Sequence, residues 1–167
     1  MKGDPSISMN ASEKAALRVR PYQPGDEDFV LSLAPRLLIG IPAWRSAEKW
    51  LASAQQWLTA DFENHGKQSM LFIAENEQGK RLGFAGVAHN HHFTGEGQAY
   101  LGELVVSEEA EGQGAGQALV HACEQWAREQ GYHSLVLDTG AINNERARRF
   151  YQRLGFLEES VKLAKLL

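Results

Sequence analysis

A mixed α/β sheet, part antiparallel and part parallel and covered by helices, is the fold class these 167 residues predict. Three observations carry it. Met70–Ala74 and Leu82–His89 are apolar runs on either side of a turn containing Gly79, the sign of an antiparallel hairpin. Ala99–Val106 runs through the alternating Gly112, Gly114 and Gly116 into a helical pattern. Ser134–Asp138 then completes a strand–helix–strand unit, whose two strands are parallel.

The elements follow in order. Residues 1–16 are polar and mixed and read as a flexible tail, and residues 17–167 read as a single domain, with no repeat or linker. Leu17–Pro21 alternates as a short strand does. Asp26 is placed to cap a helix carrying Phe29, Val30, Leu31 and Leu33, which Pro35 interrupts or restarts. Leu37–Trp44 is a connector. Ser46 caps a second helix whose Trp50, Leu51, Ala54, Trp57, Leu58 and Phe62 recur at helical spacing, so its tryptophans are expected in the core. The hairpin comes next, and then the third strand, which enters the glycine loop. A helix over Gly116–Gln130 buries Leu119, Ala122, Cys123, Trp126 and Ala127, and Gly131 ends it. After the short strand comes a helix over Asn144–Leu154, and Phe156–Leu167 supplies a last strand.

Bulk properties narrow the class. The formal net charge is -4, with 43% hydrophobic and 23% charged residues, which argues against nucleic acid as a partner. The one basic cluster, Arg146, Arg148, Arg149 and Arg153, reads as a solvated helix face. A single cysteine, Cys123, excludes an internal disulfide and reads as a small core residue. No run approaches a membrane span of about 20 apolar residues, and the first residues lack the apolar core of a signal peptide, so a cytoplasmic location is expected.

The segment from Leu104 to Leu119 is the most informative. Glycines at a strand-to-helix junction aim bare backbone N–H groups at one point, and the helix N-terminus adds about half a positive charge, so the junction is an anion site. A dinucleotide fingerprint fails because Gln117 stands where its third glycine belongs. A P-loop fails because Gly116 is followed by Gln117 rather than Lys.

Glu111-Gly112-Gln113-Gly114-Ala115-Gly116 is similar to the (R/Q)xxGx(G/A) loop, and Asn144–Phe156 to the NxxAxxxYxxxGF segment, of the GNAT-type N-acetyltransferase superfamily. Their order and spacing, with a strand between them, make the resemblance specific over Leu82–Phe156. It implies a GNAT fold with the sheet splayed at an acetyl-CoA site, and acetyl-CoA as cosubstrate. By resemblance the cofactor-binding positions are Leu104, Val105, Val106, Glu111, Gly112, Gln113, Gly114, Ala115, Gly116, Gln117, Asn144, Ala147 and Tyr151. Val106 offers main-chain groups to the pantetheine arm. Asn144 contacts the cofactor near that arm and is also a good helix N-cap. Glu111 departs from the Arg or Gln of the pattern, and a carboxylate facing a diphosphate is repulsive. Its side chain is therefore expected to point to solvent, or its backbone N–H alone to serve the ligand.

Acetyl transfer to an amine needs a proton acceptor, since an alkyl ammonium has a pKa of ~10.4. Glu103, on the strand entering the loop, is the candidate base, expected on the face of Leu101 and Val105 by strand alternation; Asp138 is the alternative. Tyr151 is by resemblance the general acid for the departing thiolate. His89, His91, His92 and Glu96 do not match a zinc pattern, so no metal is expected, and their loop reads as part of the acceptor side. Trp44, Arg45, His91 and Glu103 are the candidate acceptor-binding residues. The resulting expectation is transfer of an acetyl group from acetyl-CoA to a primary amine of a small molecule or peptide, by direct attack in a ternary complex. The alternative is a non-catalytic acyl-CoA-binding or regulatory module. Residues 157–167 provide at most one strand, so a homodimer covering the sheet edge is a further expectation.

Overall fold

The computed structural model describes residues 16–140 and 144–167, and the expected tail over residues 1–16 lies, apart from Ala16, outside the described residues. Five strands form one sheet in the order β1-β2-β3-β4-β5: β1 Leu17–Pro21, β2 Ser69–Asn76, β3 Arg81–His91, β4 Gly97–Val106 and β5 Leu135–Val136. The first four are antiparallel neighbours. β5 runs parallel to β4, joined to it by the helix α3, Ala115–Glu129. Helices α1, Glu27–Leu33, and α2, Ala47–Asn64, precede β2, and α4, Glu145–Arg153, follows β5.

Local chemistry accounts for the helix ends. Ser46 accepts from the backbone N–H of Lys49 at 3.2 Å, capping α2. Asp26 stands at the N-cap of α1 but makes no capping bond; it is buried, and takes Arg20 at 2.7 Å, Arg81 at 3.2 Å and the N–H of Gln23 at 2.9 Å. Pro35 opens a 3-10 segment, Ala34–Leu38, directly after α1. Gly131 follows α3 with φ +82°, as a C-terminal cap requires.

The sheet has an apolar cluster on each face. α3 covers one with Leu119, Val120, Cys123 and Trp126, which meet Leu82, Val87, Ala99 and Leu101. Helices α1 and α2 cover the other with Val30, Leu33 and Leu58, against Leu71, Ile73, Phe84 and Val105. Cys123 is fully buried, and burial pushes its thiol up to about 12.

Three expectations are corrected. Residues 156–167 form no strand, and Leu157, Val161, Leu163 and Leu166 are exposed. A strand needs a neighbour's ladder to pair with, and β5, the last strand of the sheet, is only two residues long. The tryptophans of α2 are not core: Trp50 and Trp57 are exposed, while Ala54 and Leu58 are buried. An 18-residue helix lying on a sheet buries one stripe, and both indoles fall beside it. Strand alternation, finally, does not hold through β4. Gly86 pairs with Glu103 but Val87 pairs with Leu101, so Gly102 is an extra, unpaired residue. The bulge inverts the parity of the strand. Leu101 packs toward α3, whereas Val105 packs toward α1 and α2.

Candidate active site

The bulge at Gly102 assembles one side of the site. By pure alternation, Tyr100 and Glu103 would face opposite ways. With one residue bulged out, both line a cleft of about 410 Å³ between α2 and strands β3 and β4. From α2 come Trp57, Ala60 and Asp61, and from β3 come Gly86, Val87 and Ala88. Trp57 and Asp61 are four residues apart, on the flank of the stripe formed by Leu51, Ala54, Leu58 and Phe62, so one helix serves both core and cleft.

Two carboxyl groups converge in this cleft. A Cβ on Gly86 would stand 3.0 Å from Glu103 Oε2 and 3.6 Å from Asp61 Oδ2, so glycine leaves the space the pair occupies. The two side chains are near enough to act on each other's titration. Burial, and then the charge of Asp61, push Glu103 up to about 8, and burial raises Asp61 as well. Beside them the Tyr100 hydroxyl donates to Asp138 Oδ2 at 3.1 Å. Burial and that carboxylate raise the phenol to about 12.

A second feature lies where β4 leaves β5. The two strands pair only at Ala99↔Leu135 and Tyr100↔Val136, so Leu101–Val106 have no β5 partner. β4 then leads through a 3-10 turn, Glu108–Ala110, into the glycine loop and α3. Gly112 and Gly114 have φ of +76° and +92°, conformations that side chains disfavour. Gly114 is the N-cap of α3, so the helix starts at Ala115, one residue before the expected Gly116. No side chain caps it, and its first-turn N–H groups remain free for an anion. A Cβ on Gly116 would meet Phe150 at 3.4 Å and Val106 at 3.6 Å, so α3 passes close to β4 and α4 at this point. Gln113 and Gln117 are exposed, Ala115 is buried, and Ala147 is half-buried on α4. An unpaired strand edge, an uncapped helix start and a glycine loop fit an elongated, diphosphate-bearing molecule such as acetyl-CoA.

Glu111 does not point to open solvent. Its carboxylate is paired with Arg36 from the 3-10 segment after α1, and accepts from Arg146 of α4 at 2.6 Å. The Arg146 hydrogen bond above all holds Glu111 below the usual carboxylate range. The arginines of α4 are therefore not simply a solvated face, and Arg148 likewise pairs with Glu158.

Asn144 stands at the N-cap of α4 without a capping bond; its side chain donates to Thr139 Oγ1 at 3.2 Å. Tyr151 packs edge-on against Phe150 and Phe156, with ring centroids 5.1 and 5.5 Å away. Burial raises its phenol to about 12, which keeps it a proton donor at neutral pH.

Of the candidate acceptor residues, only Glu103 lines the cleft. Trp44, Arg45 and His91 are exposed and lie elsewhere. His89 hydrogen-bonds Tyr132 at 2.6 Å, and His92 bonds Thr94 at 2.8 Å, so two of the histidines of that loop serve local structure. Sequence reasoning did not single out Asp61, Tyr100 or Arg36. For Asp61 a signal existed, its i, i+4 relation to Trp57, but that relation gains meaning only once Trp57 is known to face the cleft.

Residues 36–156 match the acetyltransferase (GNAT) family. The chain is 34% identical over 136 residues to N-acetyltransferase 8 of Homo sapiens, covering 77% of this chain and 56% of that protein. It thus spans about half the length of the curated relative it matches. In fold it is similar to a putative acetyl transferase from Pyrococcus furiosus, with a TM-score of 0.73 and 22% identity over 91% of this chain and 100% of that one. It is similar also to an aminoglycoside N-acetyltransferase solved with CoA, with a TM-score of 0.67 and 20% identity over 94% of this chain and 99% of that one.

Proposed function

The chain belongs to the acetyltransferase (GNAT) family, and from that premise we propose that it transfers an acetyl group from acetyl-CoA to a primary amine of a small molecule or peptide. Transfer is by direct attack in a ternary complex. The observation that carries this reading is the juxtaposition along β4. The C-terminal half of the strand presents Glu103 to an open cleft, and just past Val106 the chain runs into an uncapped helix start beside unpaired strand edge.

Bound acetyl-CoA supplies the acetyl group as a thioester, so the amine nitrogen bonds to the carbonyl carbon, the C–S bond breaks and an amide and a free thiol result. The chain's residues manage binding and protons. The N–H groups at the start of α3 hold the diphosphate, and the free edge of β4 around Val106 aligns the pantetheine arm. Glu103 Oε accepts a proton from the amine, and Tyr151 Oη–H supplies one to the sulfur. An amine that enters as an ammonium releases one further proton to solvent. The described cleft lining carries two carboxyl groups, two aromatic rings and no basic side chain, which suits an amine acceptor. Cys123 takes no part; it is fully buried and its thiol is held protonated.

The test is thiol release from acetyl-CoA by the purified protein with butylamine, spermidine, tyramine, glucosamine and a peptide with a free N-terminus, with the acetylated amine identified by mass. Amine-dependent thiol release supports the reading. Acetyl-CoA binding with no turnover on any amine overturns it in favour of a non-catalytic acyl-CoA-binding module.

A further inference from the structure

We propose that Asp61 is a positioning residue for this acetyl transfer: it holds Glu103 in place and shares one proton with it, so that the pair, rather than Glu103 alone, sets the pH at which the acceptor's proton is taken. The proposal rests on the reading of Glu103 as the proton acceptor.

The geometry is specific. Asp61 reaches the cleft from the last turns of α2 and Glu103 from β4, and their oxygens meet over Gly86. Among the described residues neither carboxyl forms an ion pair. Two half-buried carboxyls in contact without a cation resist ionising together, so around neutral pH one proton remains between them, and it leaves only at higher pH. The groups facing Glu103 are few. Asp61 comes from α2, and Tyr100 from β4 with its hydroxyl turned to Asp138. β3 brings only Gly86, Val87 and Ala88. Arg36, on the 3-10 segment that also touches β4, is engaged with Glu111. Asp61 is therefore the one charged group in contact with Glu103, and the neutral hydroxyl of Ser69, on β2, is the further group that bears on Asp61.

The shared proton has a consequence for the reaction. With the proton in place, Glu103 is tied to Asp61 and is a poor acceptor. Loss of that proton frees a base that its neighbour's negative charge makes stronger than an ordinary carboxylate. The rate should therefore rise with pH as the pair loses its proton. A helix residue that only supported the fold would change stability or amplitude without moving that titration.

The experiment measures kcat/KM against pH for the wild-type protein and for Asp61→Asn, Asp61→Ser and Asp61→Glu. The amine of the panel above that is turned over fastest is used throughout, so its own titration is constant. In parallel, the ¹³C-carboxyl signal of Glu103 is titrated in each protein. In Asp61→Asn and Asp61→Ser the acid limb should move to lower pH by about one unit or more, and the Glu103 signal should move with it. Asp61→Glu, which restores a carboxyl, should keep a limb near that of the wild type. Two uncharged variants are used so that misfolding of one leaves the other to decide. Wild-type turnover with a limb that does not move in the uncharged variants overturns the role of Asp61 and leaves acetyl transfer standing. A limb that moves while the Glu103 signal does not overturns the shared proton. Absence of turnover by the wild-type protein overturns the acetyl-transfer reading and this inference with it.

Discussion

Arg146 Nη1 donates to Glu111 Oε2 across 2.6 Å, tying the first turn of α4 to the glycine loop. Arg36 holds the other oxygen of the same carboxylate. The three side chains sum to one positive charge at the rim of the anion site, where Glu111 alone would be repulsive. Glu111→Gln frees both guanidiniums and removes the negative charge. Acetyl-CoA should bind about two- to tenfold more tightly at low salt, and the gain should shrink in high salt as screening grows. Calorimetric titration at two ionic strengths checks this; a large loss of affinity would show that the carboxylate itself positions the ligand.

Tyr151 is the proposed donor to the departing sulfur, and its raised phenol remains protonated across the neutral range. Tyr151→Phe removes one oxygen and keeps the ring packed between Phe150 and Phe156. Turnover should fall by roughly 10²-fold or more, the usual scale for a lost general acid, with acetyl-CoA affinity little changed. Steady-state kinetics beside equilibrium binding separates the two effects, and an unaltered kcat removes Tyr151 from the mechanism.

Gly86 leaves room for the carboxyl pair. In Gly86→Ala the new methyl would lie 3.0 Å from Glu103 Oε2, so that side chain must give way by a few tenths of an ångström and shift against Asp61. The expected result is a protein that folds and binds acetyl-CoA but loses most of its kcat. Circular dichroism, acetyl-CoA titration and amine-dependent thiol release together test it, and full activity would show that the position of the pair does not matter.

Trp57 is 57% exposed and lines the cleft, a large apolar surface open to solvent. Trp57→Ala should raise KM for the acceptor by about tenfold while leaving KM for acetyl-CoA unchanged, the scale of one lost aromatic contact. Equal effects on both substrates would place the indole outside the acceptor site.

Asp26 bears on stability. Burial raises its carboxyl, but hydrogen bonds from Arg20, Gln23 and Arg81 outweigh burial and hold it below the usual range. A carboxyl depressed in the folded state stabilises above its unfolded pKa of ~3.9, and the contribution fades as pH falls through the folded value. Asp26→Asn should therefore cost about 2 kcal/mol at pH 7, because it removes the carboxylate facing Arg81 and leaves Arg20 with Glu75 alone. The difference from wild type should narrow below about pH 4. Denaturant unfolding at the two pH values gives the comparison.

Local patterns reached far in this chain. The apolar runs and turns placed all five observed strands, Ser46 and Gly131 marked helix ends, and the glycine loop with Asn144–Phe156 pointed to one family because both are written in consecutive residues. Backbone conformation and helix ends depend on near neighbours, and near neighbours are what a sequence lists. What the tertiary structure alone decided was which side chains meet. The unpaired Gly102 turned Glu103 and Tyr100 onto one face. The packing of α2 on the sheet set Asp61 against Glu103 and left Trp57 exposed. Arg36, 75 residues before Glu111, answered the charge that departs from the loop pattern. Each of these depends on register and packing between elements distant in the chain, where a shift of one residue reverses which face a side chain occupies.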